Sequence, residues 1–82
     1  MEIYLIYGIT DCPSCLRACA DLMDLDQEYV FIEMDYSPTY REAMKSELEW
    51  NTFPIIVKLT PVSETTVGGY DELLLHLQGM VH

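Results

Sequence analysis

A Cys12-Pro13-Ser14-Cys15 run stands between an apolar, strand-like stretch (Ile3-Tyr4-Leu5-Ile6-Tyr7) and a stretch of helical periodicity. Two thiols spaced i, i+3 at a strand-to-helix junction form a redox pair on physical grounds. Unpaired N–H groups and the macrodipole at a helix start stabilise a thiolate on the first cysteine. The second lies one turn in, within reach of a disulfide. Cys12 is therefore the candidate nucleophile, with a pKa lowered toward neutrality. Cys15, more shielded in the first turn, is the candidate resolving thiol for exchange through a mixed disulfide. The same spacing is also half of a zinc site, which needs two more ligands. Cys19 is a third candidate, while His76 and His82 are remote in sequence. The junction favours redox chemistry and no metal.

From Pro13 onward, Cys12, Cys15, Leu16, Cys19, Leu22 and Met23 fall on one helical face, with Arg17, Asp21 and Asp24 opposite. Proline is favoured in a first turn. Residues 29–34 read as a second strand, and Ser37-Pro38 opens a second helix running to about Glu49. Thr52-Phe53-Pro54 heads a third strand over residues 55–59; a cis X–Pro bond is possible there, as is a plain strand-initiating proline. Residues 60–63 form a turn, and Thr65-Thr66-Val67 a short fourth strand broken by Gly68-Gly69. The last helix spans Asp71 to Gln78, with Leu73, Leu74 and Leu77 inward. The order β-α-β-α-β-β-α predicts an α/β fold. Its four-stranded mixed sheet is flanked by three helices, with strands one and two parallel and the last two a hairpin. The cysteine pair then sits at the carboxyl end of strand one, where open α/β sheets place their sites.

The 82 residues suit a single domain over residues 1–82, and an apolar half suffices for a modest core. Three cysteines, an odd number, do not suggest a disulfide scaffold. No apolar run reaches the roughly 18–20 residues of a membrane span. Met1-Glu2-Ile3-Tyr4 lacks the basic start of a signal peptide, so a soluble cytoplasmic protein is expected. Fourteen acidic against four basic residues give a net charge of −10, which argues against nucleic acid and anionic membranes as partners. A protein partner would offer a basic or neutral face, unless the charge serves solubility alone. Cys19 reads either as a small buried hydrophobe or as an auxiliary thiol that regulates turnover.

Cys12-Pro13-Ser14-Cys15, Thr52-Phe53-Pro54 and Gly68-Gly69-Tyr70-Asp71, in that order, resemble the motifs of glutaredoxins of the thioredoxin-fold superfamily. Arg17 and Arg41-Glu42-Ala43-Met44 also look like family positions, and the resemblance covers essentially the whole chain. It implies a monomeric dithiol oxidoreductase that uses glutathione as cosubstrate and reduces protein disulfides, as in ribonucleotide reductase, or glutathione mixed disulfides. Pro54 would be cis and face the cysteines, and the Phe53 backbone would pair with the cysteinyl part of glutathione. Gly69 and Tyr70 would hold its γ-glutamyl carboxylate, and Asp71 its ammonium; Asp71 would also serve as a helix N-cap. The short acidic form is similar to glutaredoxins encoded by phages.

The chain departs from the family at several positions. Ile9 stands where the family usually has a lysine, Trp50 where it often has a basic residue, and Ser14 where it has an aromatic. The two cations normally hold the glycyl carboxylate, through charge-assisted bonds of roughly 1.5–3 kcal/mol each. Arg41 and Lys45 are candidates to compensate. The hairpin turn Thr60-Pro61-Val62-Ser63 looks longer than usual. Other readings are a thioredoxin-like redoxin reduced by a flavoenzyme, an iron–sulfur carrier (disfavoured by Pro13), and an interaction protein with an inert disulfide.

Overall fold

A computed structural model describes residues 2–35, 38–47 and 52–79. Its elements run β1 (Ile3–Gly8), α1 (Pro13–Asp24), β2 (Tyr29–Glu33), α2 (Pro38–Glu47), β3 (Ile55–Thr60), β4 (Ser63–Gly68) and α3 (Tyr70–Gln78). This is the expected order. The sheet runs β2-β1-β3-β4, with β1 and β2 parallel and the other pairs antiparallel. Ser37, Glu49, Trp50 and His82 lie outside the described residues.

Both faces of the central strands are apolar because both are covered, so β1 and β3 read as continuous apolar runs. On one face Tyr4, Ile6 and Ile56 pack with Ala18 and Leu22 of α1 and Leu73 and Leu77 of α3. On the other, Tyr7, Ile55 and Val57 pack with Met34 and with Met44 of α2. The β1 alternation matches the strand period, Tyr4 and Ile6 facing the α1–α3 layer and Tyr7 the other.

Three local expectations need correction. The buried stripe of α1 is Cys15, Ala18 and Leu22; Leu16 and Met23 are each 62% exposed. Alanine fits the close helix–sheet approach at position 18, which rotates those two longer side chains out. The hairpin turn is short: Thr60 pairs with Ser63, and only Pro61 and Val62 bridge them. The Thr60 hydroxyl accepts the Ser63 N–H at 3.0 Å and lies 2.7 Å from the Ser63 hydroxyl, which closes the turn. Accordingly β4 extends beyond the predicted 65–67, to Ser63–Gly68. At its end the register slips between Ile56 and Val57, and Gly68 takes φ 123°, a backbone region open to glycine. That bulge swings the chain back over the sheet into α3.

Helix α1 ends through a left-handed residue, Asp26 (φ 55°), with the Gln27 N–H on the Leu22 carbonyl at 2.9 Å. Aspartate tolerates this region better than most side chains, and the turn returns the chain to β2.

Candidate active site

Cys12 is the N-cap of α1, with extended backbone (φ −148°, ψ 98°), and Pro13 opens the helix. The Cys12 sulfur accepts the Cys15 N–H at 3.2 Å. Its carbonyl accepts the N–H groups of Cys15 and Leu16, at 3.1 and 3.3 Å. A backbone donor on the first sulfur favours its thiolate once the pair is reduced. Cys12 and Cys15 form a disulfide, with Cα atoms 5.3 Å apart. Cys12 is half-buried, whereas Cys15 is fully buried. Cys19 is free and half-buried, and burial pushes its thiol pKa up.

Beside the disulfide lies a groove of about 180 Å³ lined by Ser14, Thr52, Phe53, Pro54, Gly69, Tyr70, Asp71 and Glu72. Three segments remote in sequence supply its walls. The Phe53–Pro54 bond is cis. Gly69 is the N-cap of α3, and its N–H donates to Glu72 Oε1 at 3.0 Å, one half of a capping box. Asp71 therefore does not cap the helix; it lies in the first turn, where its carboxylate meets the positive end of the helix dipole. The Tyr70 hydroxyl donates to Asp21 Oδ2 at 2.8 Å, which raises the phenol pKa and ties the head of α3 to α1.

Cations stand around this groove rather than in it. Lys45 lies over the Phe53 ring, its Nζ 5.1 Å from the centroid, and meets Glu42 at 3.9 Å. Arg41 faces Asp35 at 3.9 Å instead. Lys58 is bound to Glu2 at 2.9 Å on another part of the surface. Ile9 packs against the α2-side core.

Several contributors were not singled out from sequence. Asp35, just beyond β2, accepts the Thr10 N–H at 2.9 Å and holds the loop before Cys12; that bond lowers the Asp35 carboxyl pKa. Asp21 and Glu72 fix the groove wall. A long-range partner such as Asp21 for Tyr70, 49 residues apart, leaves no local signal. Gly8 ends β1 against the sulfur of Cys15, 2.8 Å from where a Cβ would stand, and counting by two from Tyr4 and Ile6 puts it on the face that meets α1. His76, weighed as a zinc ligand, has its Nε2 2.9 Å from the Tyr4 hydroxyl. Among the described residues, no group of three or more His, Cys, Asp or Glu is placed to hold a metal ion.

A family model described as Glutaredoxin matches residues 4–58. That span contains the cysteine pair and Thr52-Phe53-Pro54 but stops before Gly68-Gly69-Tyr70-Asp71. No curated protein matches. Among solved structures, the chain is similar to the solution structure of glutaredoxin from Brucella melitensis, at a TM-score of 0.69 and 28% identity. The likeness covers 93% of this chain and 78% of that one. The architecture is thioredoxin-like.

Proposed function

The chain belongs to the glutaredoxin family, and from that premise we propose a dithiol thiol–disulfide oxidoreductase with glutathione as electron donor. One observation carries this reading: Ser14 of the Cys12–Cys15 segment, the cis Phe53–Pro54 segment and the Gly69–Glu72 helix start converge on one groove. Cys12, half-buried and held by a backbone donor, is the accessible sulfur. In the reduced protein its thiolate attacks a substrate disulfide, R–S–S–R′. A Cys12–S–R bond forms as R′–S⁻ leaves and takes a proton from solvent. For a protein substrate the Cys15 thiolate then attacks Cys12 Sγ and releases R–S⁻; where R is glutathione, a second glutathione thiolate attacks that glutathione sulfur instead, so the Cys12 thiolate leaves and glutathione disulfide forms. Two glutathione thiols restore the dithiol from the internal disulfide and leave as glutathione disulfide.

In this scheme the Phe53 backbone and Pro54 align the cysteinyl part of glutathione. The backbone at Gly69 and Tyr70 receives its γ-glutamyl carboxylate, and Asp71 its ammonium. Glycine at position 69 suits close backbone approach. The groove lining carries two carboxylates and no cation, so the glycyl carboxylate needs a charge from outside that lining. Lys45, stacked on Phe53, is the candidate to supply it. We further assign residues 1–82 to one domain that acts as a monomer in a reducing, cytoplasmic setting on disulfide-bearing proteins.

The test is reduction of a glutathione mixed disulfide, with glutathione recycled by glutathione reductase. Wild type should turn over, Cys12→Ser should not, and Cys15→Ser should retain the mixed-disulfide reaction while losing protein-disulfide reduction. Turnover with thioredoxin reductase alone would replace glutathione by a flavoenzyme as donor. Failure with both donors would remove the oxidoreductase reading.

A further inference from the structure

The last residue of β1 meets the resolving sulfur directly. A Cβ at Gly8 would lie 2.8 Å from Cys15 Sγ, and 2.9 and 3.0 Å from two carbons of the Phe31 ring. The ring is the far end of a side chain and can turn. The other two parties cannot move so freely. Gly8 is paired with Glu33 across β1 and β2, and its carbonyl accepts the Met34 N–H at 2.8 Å. The Cys15 sulfur is fixed by the first turn of α1 and by its bond to Cys12. It is also completely covered. In the mixed disulfide, where Cys15 is not bonded to Cys12 and its side chain can rotate, an added methyl at Gly8 therefore turns the sulfur aside while the paired strand holds.

We propose that Gly8 and the Phe31 ring form a seat for the Cys15 sulfur, in which Gly8 is a positioning residue for the resolving step. This rests on the oxidoreductase reading above. In that step the Cys15 thiolate, its proton already given to solvent, attacks Cys12 Sγ. The Cys12–Cys15 bond forms, the bond from Cys12 to the substrate sulfur breaks, and the substrate thiolate leaves and is protonated by solvent. The seat keeps Cys15 Sγ directed at its neighbour and covered from outside disulfides. Incoming substrates then meet only Cys12.

Gly8→Ala, made in the wild type and in a Cys15→Ser background, separates positioning from stability. Reduction of a protein disulfide, which needs both thiols, should fall about tenfold, because sub-ångström to ångström misplacement of a reacting atom costs rate on this scale. Reduction of a small glutathione mixed disulfide, which needs Cys12 alone, should stay within about twofold, and Gly8→Ala should add nothing to Cys15→Ser. Equal losses in both reactions, or none in either, would overturn the proposal. Should Gly8→Ala not fold, Phe31→Ala in a Cys12→Ser background reads the same seat: labelling of Cys15 by a neutral maleimide should rise about tenfold. An unchanged labelling rate overturns the seat. A wild-type protein inert with every donor removes the oxidoreductase reading and the seat together, whereas an active one that fails these tests removes the seat alone.

Discussion

Lys45 sits where two readings of the same side chain meet. Its contact with Glu42 is long, 3.9 Å, and Glu42 is exposed, so that pair contributes little to stability. Its placement over Phe53 matters more, since Phe53 walls the groove. Lys45→Ala should raise KM for a glutathione mixed disulfide roughly two- to fivefold, the scale of a partly exposed ion pair, with kcat unchanged. Lys45→Arg should keep most of the affinity, and steady-state kinetics with an unchanged KM for the alanine variant would take Lys45 out of the site. Cys19 behaves differently. Burial keeps its thiol protonated at neutral pH, so Cys19→Ala should leave turnover unchanged; a loss of more than about twofold would reveal an auxiliary thiol. The places of Cys12 at a helix start and of Pro54 at the head of a strand were legible in the sequence because they follow from local chemistry, whereas Phe53 and Asp71 come forward only through the family resemblance, and the helix cap expected of Asp71 falls to Gly69. Lys45 was only one of two candidates, since the direction of a side chain on α2 depends on how that helix rests on the sheet.

At the scale of elements, α1 and α3 are joined by one polar tie beside the groove, the Tyr70–Asp21 bond. Tyr70→Phe keeps the ring and removes the hydroxyl. It should lower the urea midpoint of unfolding, because a charge-assisted bond between the two helices is lost. A urea midpoint unchanged from wild type would show that the tie contributes nothing. The sequence conveyed the elements and their order, because apolar period and glycine or proline punctuation are local. It conveyed less about where they rotate. Leu16 and Met23 satisfy a helical period yet face out, since Ala18 rather than a larger residue sets the closest approach of α1 to the sheet. The hairpin is shorter than its sequence suggests for a related reason: Thr60 and Ser63 look like turn residues, but their hydroxyls close a two-residue turn from the strand ends. Helix α3 also carries a pH-sensitive group. Burial holds the His76 pKa below its ordinary 6.5, so the fold accommodates the neutral ring. Stability from this group is full above about pH 6.5 and is lost as pH falls toward the lower folded value. Urea midpoints at pH 7.5 and 5.5 should differ less for His76→Phe than for wild type; an equal difference would place the acid sensitivity elsewhere.

For the whole molecule, charge dominates. A net charge of −10 on 82 residues opposes the compact state and repels glutathione, which is itself anionic. Raising salt from low to moderate concentration should therefore raise the melting temperature and lower KM for the glutathione mixed disulfide. A KM that rises with salt instead would mean that attraction by the few cations outweighs the general repulsion. The same charge bears on the borders of the sheet. Among the described residues, the order β2-β1-β3-β4 leaves β2 and β4 each with one side free of any strand of this sheet. Such margins template the pairing of separate molecules unless something keeps those molecules apart. Glu33 on β2 and Glu64 on β4 stand on these two strands. As acid neutralises carboxylates across the surface, colloidal repulsion fades while both margins keep their backbone donors and acceptors. Acidification toward the carboxylate range should then bring fibrillar or sheet-rich association, visible by light scattering and thioflavin fluorescence, and a lysine placed on β4 should delay it.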